Sequence, residues 1–437
     1  MTSIKLGPSA AGPTQVVRGA HRGEKSSVPK RRTFLQILAG ATVASLVSRR
    51  VTAETPAATV ASAPKSDMTG MDMPSGATSA APMNGMPMGA AAPLPKGAPP
   101  AGSALYKKFA LELKVVQREI APGVVVHMMA YNGQVPGPTI RVNEGDWVWV
   151  DFTNASDEMH TIHWHGMIVD YRHDGVPYLT QDPVMRGEKY AYVFQAKPYG
   201  THFYHCHFGT LMHMQAGMYG AIIVESADDP IRKRYPYTED YVLILSSIDT
   251  VFVRTQMNSM FARMKQRDAL GKRLDLPTQN RHSSLAALVK AIKGGYVPPY
   301  ARARAAPPDP RPDYFLINGR AYPATEPIMV KEGEWTRIRY VNVGNVQFNM
   351  HLHGHDFFHV CTDGAPLPNA VRMNTLPIAP GRSEDIVFLA DNPGFWALHD
   401  HDVTHTSNNG VYPGGAMTDV EYRGLKGGYQ PTVSLDE

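Results

Sequence analysis

The chain states its main landmarks twice. Asn132-Gly133 and Glu144-Gly145 return as Asn318-Gly319 and Glu332-Gly333. His163-Trp164-His165-Gly166 returns as His351-Leu352-His353-Gly354, Asp174-Gly175 as Asp363-Gly364, and His205-Cys206-His207 as His399-Asp400-His401. Landmarks kept in one order at an offset of about 190 residues mark a duplicated folding unit. Between them lie alternating runs such as Asp146–Thr153 and Thr336–Val341, which read as half-buried strands punctuated by Pro and Gly. The pattern predicts an all-β chain of two homologous β-sandwich domains, at residues 105–228 and 229–437.

One stretch breaks the repeat. Gln256 to Gly271 and Ser283 to Gly294 look helical and form an insertion over about residues 250–310, after the first strand of the second domain, Tyr241–Leu245. Met257, Met260 and Met264 fall on one helical face. Packing against a sandwich is the main expectation for that face, and a thioether-lined route for Cu(I) is the alternative.

The N-terminal part does not read as a domain. Lys30-Arg31-Arg32-Thr33-Phe34-Leu35 with the apolar run to Val47 reads as a twin-arginine export signal over residues 1–53. The run falls short of the ~20 residues that span a bilayer. Export by that route, to the periplasm or beyond, is the expected localisation, with no transmembrane span. Residues 1–53 hold nine Lys or Arg against Glu24, so the chain's net charge of +4 resides in the leader and the remainder is mildly acidic. No nucleic-acid footprint is left. Residues 54–104, rich in Ala, Pro, Gly, Ser and Met, are expected to be a disordered tether. Its Met68, Met71, Met73, Met83, Met86 and Met88 offer soft ligands for Cu(I), or are linker drift.

The chemistry concentrates in Gly200–Met218. Side chains alternate along a strand, so if Cys206 faces one way, His205 and His207 face the other. His160 is an odd number of residues from His163 and His165, so it can join Cys206, His213 and Met218 while the other two join His205 and His207. A thiolate, two imidazoles and a thioether suit a blue, type 1 copper. In the second repeat His351, His353, His399 and His401 persist, but Phe348 stands for His160 and Asp400 for Cys206. The redox centre is expected once, and the four H-x-H pairs supply eight imidazoles, enough for three further coppers. Two cysteines build no disulfide framework, and Cys361 reads as a buried, inert thiol.

Over about residues 110–425 the chain resembles a multicopper oxidase of the small two-domain class, on the motifs Asn132-Gly-x2-Pro-Gly-Pro138, His163-Trp-His165-Gly and His205-Cys-His207. The resemblance implies cupredoxin-like Greek-key domains and four coppers per subunit. It assigns a type 2 ion to His163 and His351, and a type 3 pair to His165, His205, His207, His353, His399 and His401. It implies a homotrimer with trinuclear sites between domain 1 of one subunit and domain 2 of the next, and O2 and a small electron donor as partners. The donor is expected at an exposed edge of His213, and Asp174 matches the acid that supplies protons in related oxidases. The seven-residue Cys206-to-His213 spacing departs from three-domain laccases and resembles a shortened nitrite reductase loop. Copper nitrite reductase is the enzyme alternative, but that family lacks imidazoles at the positions of His163 and His207. A copper-sequestering protein is the non-enzymatic one.

Overall fold

A computed structural model describes residues 92–269 and 311–425 of the chain. The export signal, the tether as far as residue 91 with its methionines, and the helix expected over Ser283–Gly294 lie outside the described residues. Residues 92–104 form irregular turns held against the first sandwich: Tyr106 Oη donates to the Pro99 carbonyl and His173 Nε2 to the Pro93 carbonyl. No helix among the described residues is long and apolar enough to cross a membrane.

The first half comprises β1 (Tyr106–Ala121), β2 (Val124–Tyr131), β3 (Ile140–Asn143), β4 (Trp147–Asn154), β5 (Ile162–His165), β6 (Lys189–Gln195), β7 (Gly200–Cys206), helix α1 (Thr210–Gln215) and β8 (Tyr219–Glu225). One sheet runs β2-β1-β4-β6 and the facing sheet β3-β8-β7-β5. Helix α2 (Pro230–Arg234) leads to the second half: β9 (Tyr237–Ile248), α3 (Thr250–Ala269), β10 (Tyr314–Ile317), β11 (Ile328–Val330), β12 (Trp335–Asn342), β13 (Phe348–Leu352), β14 (Phe357–Thr362), β15 (Ala365–Met373), β16 (Thr375–Ile378), β17 (Ser383–Leu389), β18 (Phe395–Asp400) and β19 (Met417–Tyr422). Its sheets run β10-β9-β12-β17-β14-β15 and β11-β19-β18-β13-β16.

The duplication is topological. The parallel β1–β4 pair recurs as β9–β12, and the parallel β3–β8 pair as β11–β19. Both halves are Greek-key β-sandwiches of one kind, the second enlarged by β14 to β16. Each is closed by alternation: in β5 Ile162 and Trp164 point into the core and His163 and His165 out of it, and in β13 Met350 and Leu352 point in and His351 out.

Two expectations are modified. Helix α3 starts earlier than the sequence suggested, because Asp249 caps it, its Oδ1 accepting from the Phe252 amide at 2.8 Å. Met257 and Met260 are buried in the core of the first sandwich, so the methionine face there does structural packing. The run Thr336–Val341 alternates in sequence but not in exposure: Arg337 and Arg339 are fully buried. Arg337 bonds Asp385 at 2.6 Å and Arg339 bonds Asp240 at 2.7 Å. Buried charges persist only when paired in this way. The network reaches β7, where Thr201 Oγ1 donates to Asp385 and Ser383 Oγ donates to the Thr201 carbonyl. The strand that ends in His205 and Cys206 is thereby anchored on the second sandwich.

Candidate metal centres

Cys206 ends β7 with its side chain in the core of the first sandwich, fully buried and unbridged. Its Sγ lies 3.5 Å from His160 Nδ1 and 3.3 Å from His213 Nδ1, and the three donor atoms lie within 4.8 Å of one another. Met218 is drawn in through the backbone: its carbonyl accepts from the Cys206 amide and its own amide donates to the His213 carbonyl. Its side chain is fully buried as well. Burial pushes the Cys206 thiol up to about 12 and pulls His213 down to about 4. Burial, reinforced by His213, also holds His160 well below the usual imidazole range. A dry pocket with two neutral imidazoles and a soft sulfur fits copper rather than a hard cation.

His213 itself is only 5% exposed, so the expected exposed edge for a docking reductant does not exist. The turn that leads into α1 folds Phe208 and Gly209 over the ring. A cleft of about 470 Å³ lies elsewhere, between α3 and the first sandwich, lined in part by His127, Met260, Phe261, Met264 and Ser156. Ser156 Oγ lies 2.7 Å from His160 Nε2.

The opposite face of the same strands carries the second group. The rings of His165, His205 and His207 each pack against His163, and a donor atom from each of His163, His165 and His205 falls within 4.8 Å of the others. Carbonyl oxygens settle two protons, since they can only accept. His163 Nδ1 must donate to the Asp174 carbonyl at 2.8 Å, and His205 Nδ1 to the Cys206 carbonyl at 2.9 Å, which leaves each Nε2 lone pair free for a metal. The Asp174 carboxylate sits 3.3 Å from the same His163 nitrogen. His205 is pulled down to about 3, first by burial.

The second sandwich repeats this arrangement. His351 Nδ1 donates to the Asn374 carbonyl at 2.7 Å and His399 Nδ1 to the Asp400 carbonyl at 2.7 Å. His353 Nε2 lies 2.9 Å from His399 Nε2, and His401 packs on both His351 and His399. The glycine after the first H-x-H pair of each sandwich is required. Gly166 and Gly354 have φ of +82° and +69°, and a Cβ there would meet His202 or the Trp396 ring. Among the described residues these ring contacts run within each group of four. His353 and His401 are exposed, whereas His205 is buried.

Among the described residues the second half has no counterpart of the Cys206 pocket. Asp400, fully buried in place of Cys206, bonds His405 Nδ1 at 2.6 Å, and Phe315 stacks on His405 at 3.8 Å with Phe348 beside it. A carboxylate–imidazole hydrogen bond and two aromatic rings fill the space. Cys361 is a free buried thiol beside Arg337, as its apolar setting suggested. Sequence reasoning missed Ser156 and Asn374. Ser156 was findable by comparing Asn154-x-Ser156 with Asn342-x-Gly344 across the repeat. Asn374 acts through its main chain, which leaves no residue signature.

Two multicopper oxidase family models match the chain, over residues 112–229 and 296–412. The blue copper oxidase from Nitrosomonas europaea is similar in structure, with a TM-score of 0.59 and 33% identity, covering 72% of this chain and 86% of that one. A copper nitrite reductase from the same organism shares the fold, with a TM-score of 0.53 at 21% identity, covering 73% of this chain and 94% of the other. Copper resistance protein A of Pseudomonas syringae pv. tomato is 30% identical over 269 residues, 59% of this chain and 42% of the relative. The chain thus spans less than half the length of the curated relatives it matches first.

Proposed function

Because the chain belongs to the multicopper oxidase family, we propose that it oxidises a small donor by single electrons and reduces O2 to water with four of them. The donor class is a phenol, an aromatic amine or cuprous ion. Four coppers per chain would supply one-electron exchange at the thiolate and oxygen binding and reduction among the imidazoles. His160, Cys206, His213 and Met218 would hold the type 1 ion. His163 and His351 would hold type 2, and His165, His205, His207, His353, His399 and His401 the type 3 pair.

One observation carries this reading: β7 sends Cys206 into one pocket and His205 into the other. A few covalent bonds separate the two, so no further residue is needed to connect them. The free Nε2 lone pairs of His163, His205 and His351 support the cluster assignment, since metal ligation needs an unprotonated nitrogen; His399 Nε2 is unprotonated too, and accepts from His353 Nε2. Asp174, with its carboxylate at the His163 ring, would hold and release the protons that water formation consumes.

Each half offers four imidazoles, and a three-metal cluster needs both sets. Pairing domain 1 of one subunit with domain 2 of the next, closed by rotation into a homotrimer, meets that need. The exposure of His353 and His401 supports it, because an interface must cover them. Light scattering should give three chains per particle; a fully loaded, fully active monomer would refute the assembly. The cleft ending at Ser156 is the favoured approach for the donor, since His213 is covered. Export by the twin-arginine route suits a copper enzyme that assembles before translocation. Oxygen uptake with a panel of phenols, aromatic amines, Cu(I) and Mn(II), with water as product, tests the activity. No uptake with any donor in copper-loaded protein would overturn it and favour sequestration.

A further inference from the structure

The loop before His160 contains a hydrogen-bond chain that leads from a fixed buried amide to the imidazole. Asn154, fully buried, donates through Nδ2 to the carbonyls of Glu158 at 2.7 Å and Val184 at 2.9 Å. Both partners are pure acceptors, so the amide orientation is fixed and Oδ1 faces the other way. That Oδ1 accepts from the Ser156 amide and from Ser156 Oγ, each at 2.9 Å. The single hydroxyl proton of Ser156 is thereby used. With that proton directed at Asn154 Oδ1, Ser156 Oγ acts as acceptor toward His160 Nε2 at 2.7 Å, as it does toward the Glu158 amide at 3.3 Å. In this arrangement the His160 proton sits on Nε2, and the Nδ1 lone pair faces Cys206 Sγ.

The repeat contains its own control. Asn342 Nδ2 donates to the carbonyls of Val346 and Ile378, each at 2.8 Å, and its Oδ1 accepts from the Gly344 amide at 2.9 Å. The turn is the same, but Gly344 stands at the Ser156 position and Phe348 at the His160 position. A Cβ on Gly344 would lie 3.2 Å from the Ser247 amide nitrogen, so this copy has little room for the hydroxyl. Hydroxyl and imidazole occur together in the half that has the thiol, and both are missing from the half that lacks it. The turn forms without the serine, so its folding does not explain why the serine is there.

We propose that Ser156 is a positioning residue for the Cys206 centre, holding His160 in the tautomer and ring orientation that a metal at Cys206 requires. The inference rests on the type 1 reading of that pocket, but its first test does not. In metal-free protein carrying 15N-labelled histidine, long-range 1H–15N correlation should show His160 as a pure Nε2–H tautomer. Ser156→Gly, which copies the second half, should give mixed tautomers or exchange broadening at His160 while the signals of His351 and His399 stay unchanged. Ser156→Thr, which keeps the hydroxyl, should restore the single form. A pure Nε2–H signal in Ser156→Gly would overturn the proposal, and so would failure of Ser156→Thr to restore it.

In copper-loaded protein, loss of such an outer partner is expected to weaken binding at Cys206 by about 10- to 100-fold and to shift the blue absorption, with the imidazole-bound copper content unaltered. An unchanged spectrum and affinity in Ser156→Gly would overturn the link to the metal. A wild-type chain with the expected tautomer but no blue band would instead overturn the reading of the pocket and leave the role of Ser156 in orienting His160 intact.

Discussion

The two sandwiches share a topology, a pair of H-x-H strands and the same histidine tautomers, yet one encloses a thiol pocket and the other a hydrogen-bonded carboxylate and imidazole. The difference arises at four positions. His160, Ser156, Cys206 and Met218 in the first half face Phe348, Gly344, Asp400 and Ala416 in the second, where the Cys206-to-Met218 amide–carbonyl bond recurs between Asp400 and Ala416. The outward faces of β5 and β13, by contrast, keep their imidazoles. A duplicated fold can therefore lose a site in its core without losing the one on its surface, because the two are held by opposite faces of the same strands. What replaced the core site is itself well packed: Asp400 Oδ1 accepts from the amides of Asn349 and Asp402 and Oδ2 from His405, so the buried carboxylate is satisfied.

The contrast is tested most severely at Cys206. Writing the second half's residue into the first, Cys206→Asp, should abolish the intense absorption near ~600 nm and donor-driven oxygen uptake, since a hard carboxylate does not replace a soft thiolate. A blue, active variant would mean that the thiol does not set the halves apart. Next comes His353→Ala in the half without the thiol. It should leave the blue band in place and lower turnover by more than ~10²-fold, as expected for a lost metal ligand when outer partners alone cost up to that much. Full activity would remove the second half from the reaction. Asp174→Asn tests the partner of His163: the blue colour should remain and turnover should fall by about 10²- to 10⁴-fold, the usual worth of a positioned acid. Unchanged turnover would leave Asp174 with the backbone role that its carbonyl already fills.

A smaller effect lies in the stability of the metal-free chain. His205 and His213 are depressed by burial to about 3 and about 4, whereas an unfolded imidazole titrates near ~6.5. Between those values the unfolded chain binds the extra protons, so stability is fully present above about pH 6.5 and falls as the pH drops toward 4, by about 1.4 kcal/mol per pH unit for each ring. Denaturant midpoints measured from pH 7 to pH 4.5 should decline accordingly. The declines should shrink in His213→Gln, and a flat profile would mean these rings are solvated. In the second half His353 and His399 are also lowered by burial, but they are more open to water and should add less to the slope.

Much of this was legible in the sequence because the two strand periodicities are strict. One residue of offset separates His160 from the face of His163 and His165, and the same parity separates Cys206 from His205 and His207. Whatever forms these strands must divide those residues between two pockets. The repeat then identified the second four imidazoles and the missing thiol. Parity says nothing about what lies on top of a strand. Arg337 and Arg339 occupy an alternating run that reads as half-exposed, and they are buried because Asp229, Asp240 and Asp385 arrive from distant parts of the chain. His213 is covered by a turn whose path depends on Gly209 in a left-handed conformation, a tertiary outcome that spacing alone does not encode. The partners that fix the ring protons are mostly backbone carbonyls, and those carry no residue identity.

If both halves contribute to one oxygen-reducing cluster beside a single thiolate centre, the copper content of the chain is fixed. Elemental analysis of fully loaded protein, set against an accurate protein concentration, should then give four coppers per polypeptide, one of them lost in Cys206→Asp. Two per polypeptide, the number expected when a single ion bridges the halves, would mean that no such cluster forms.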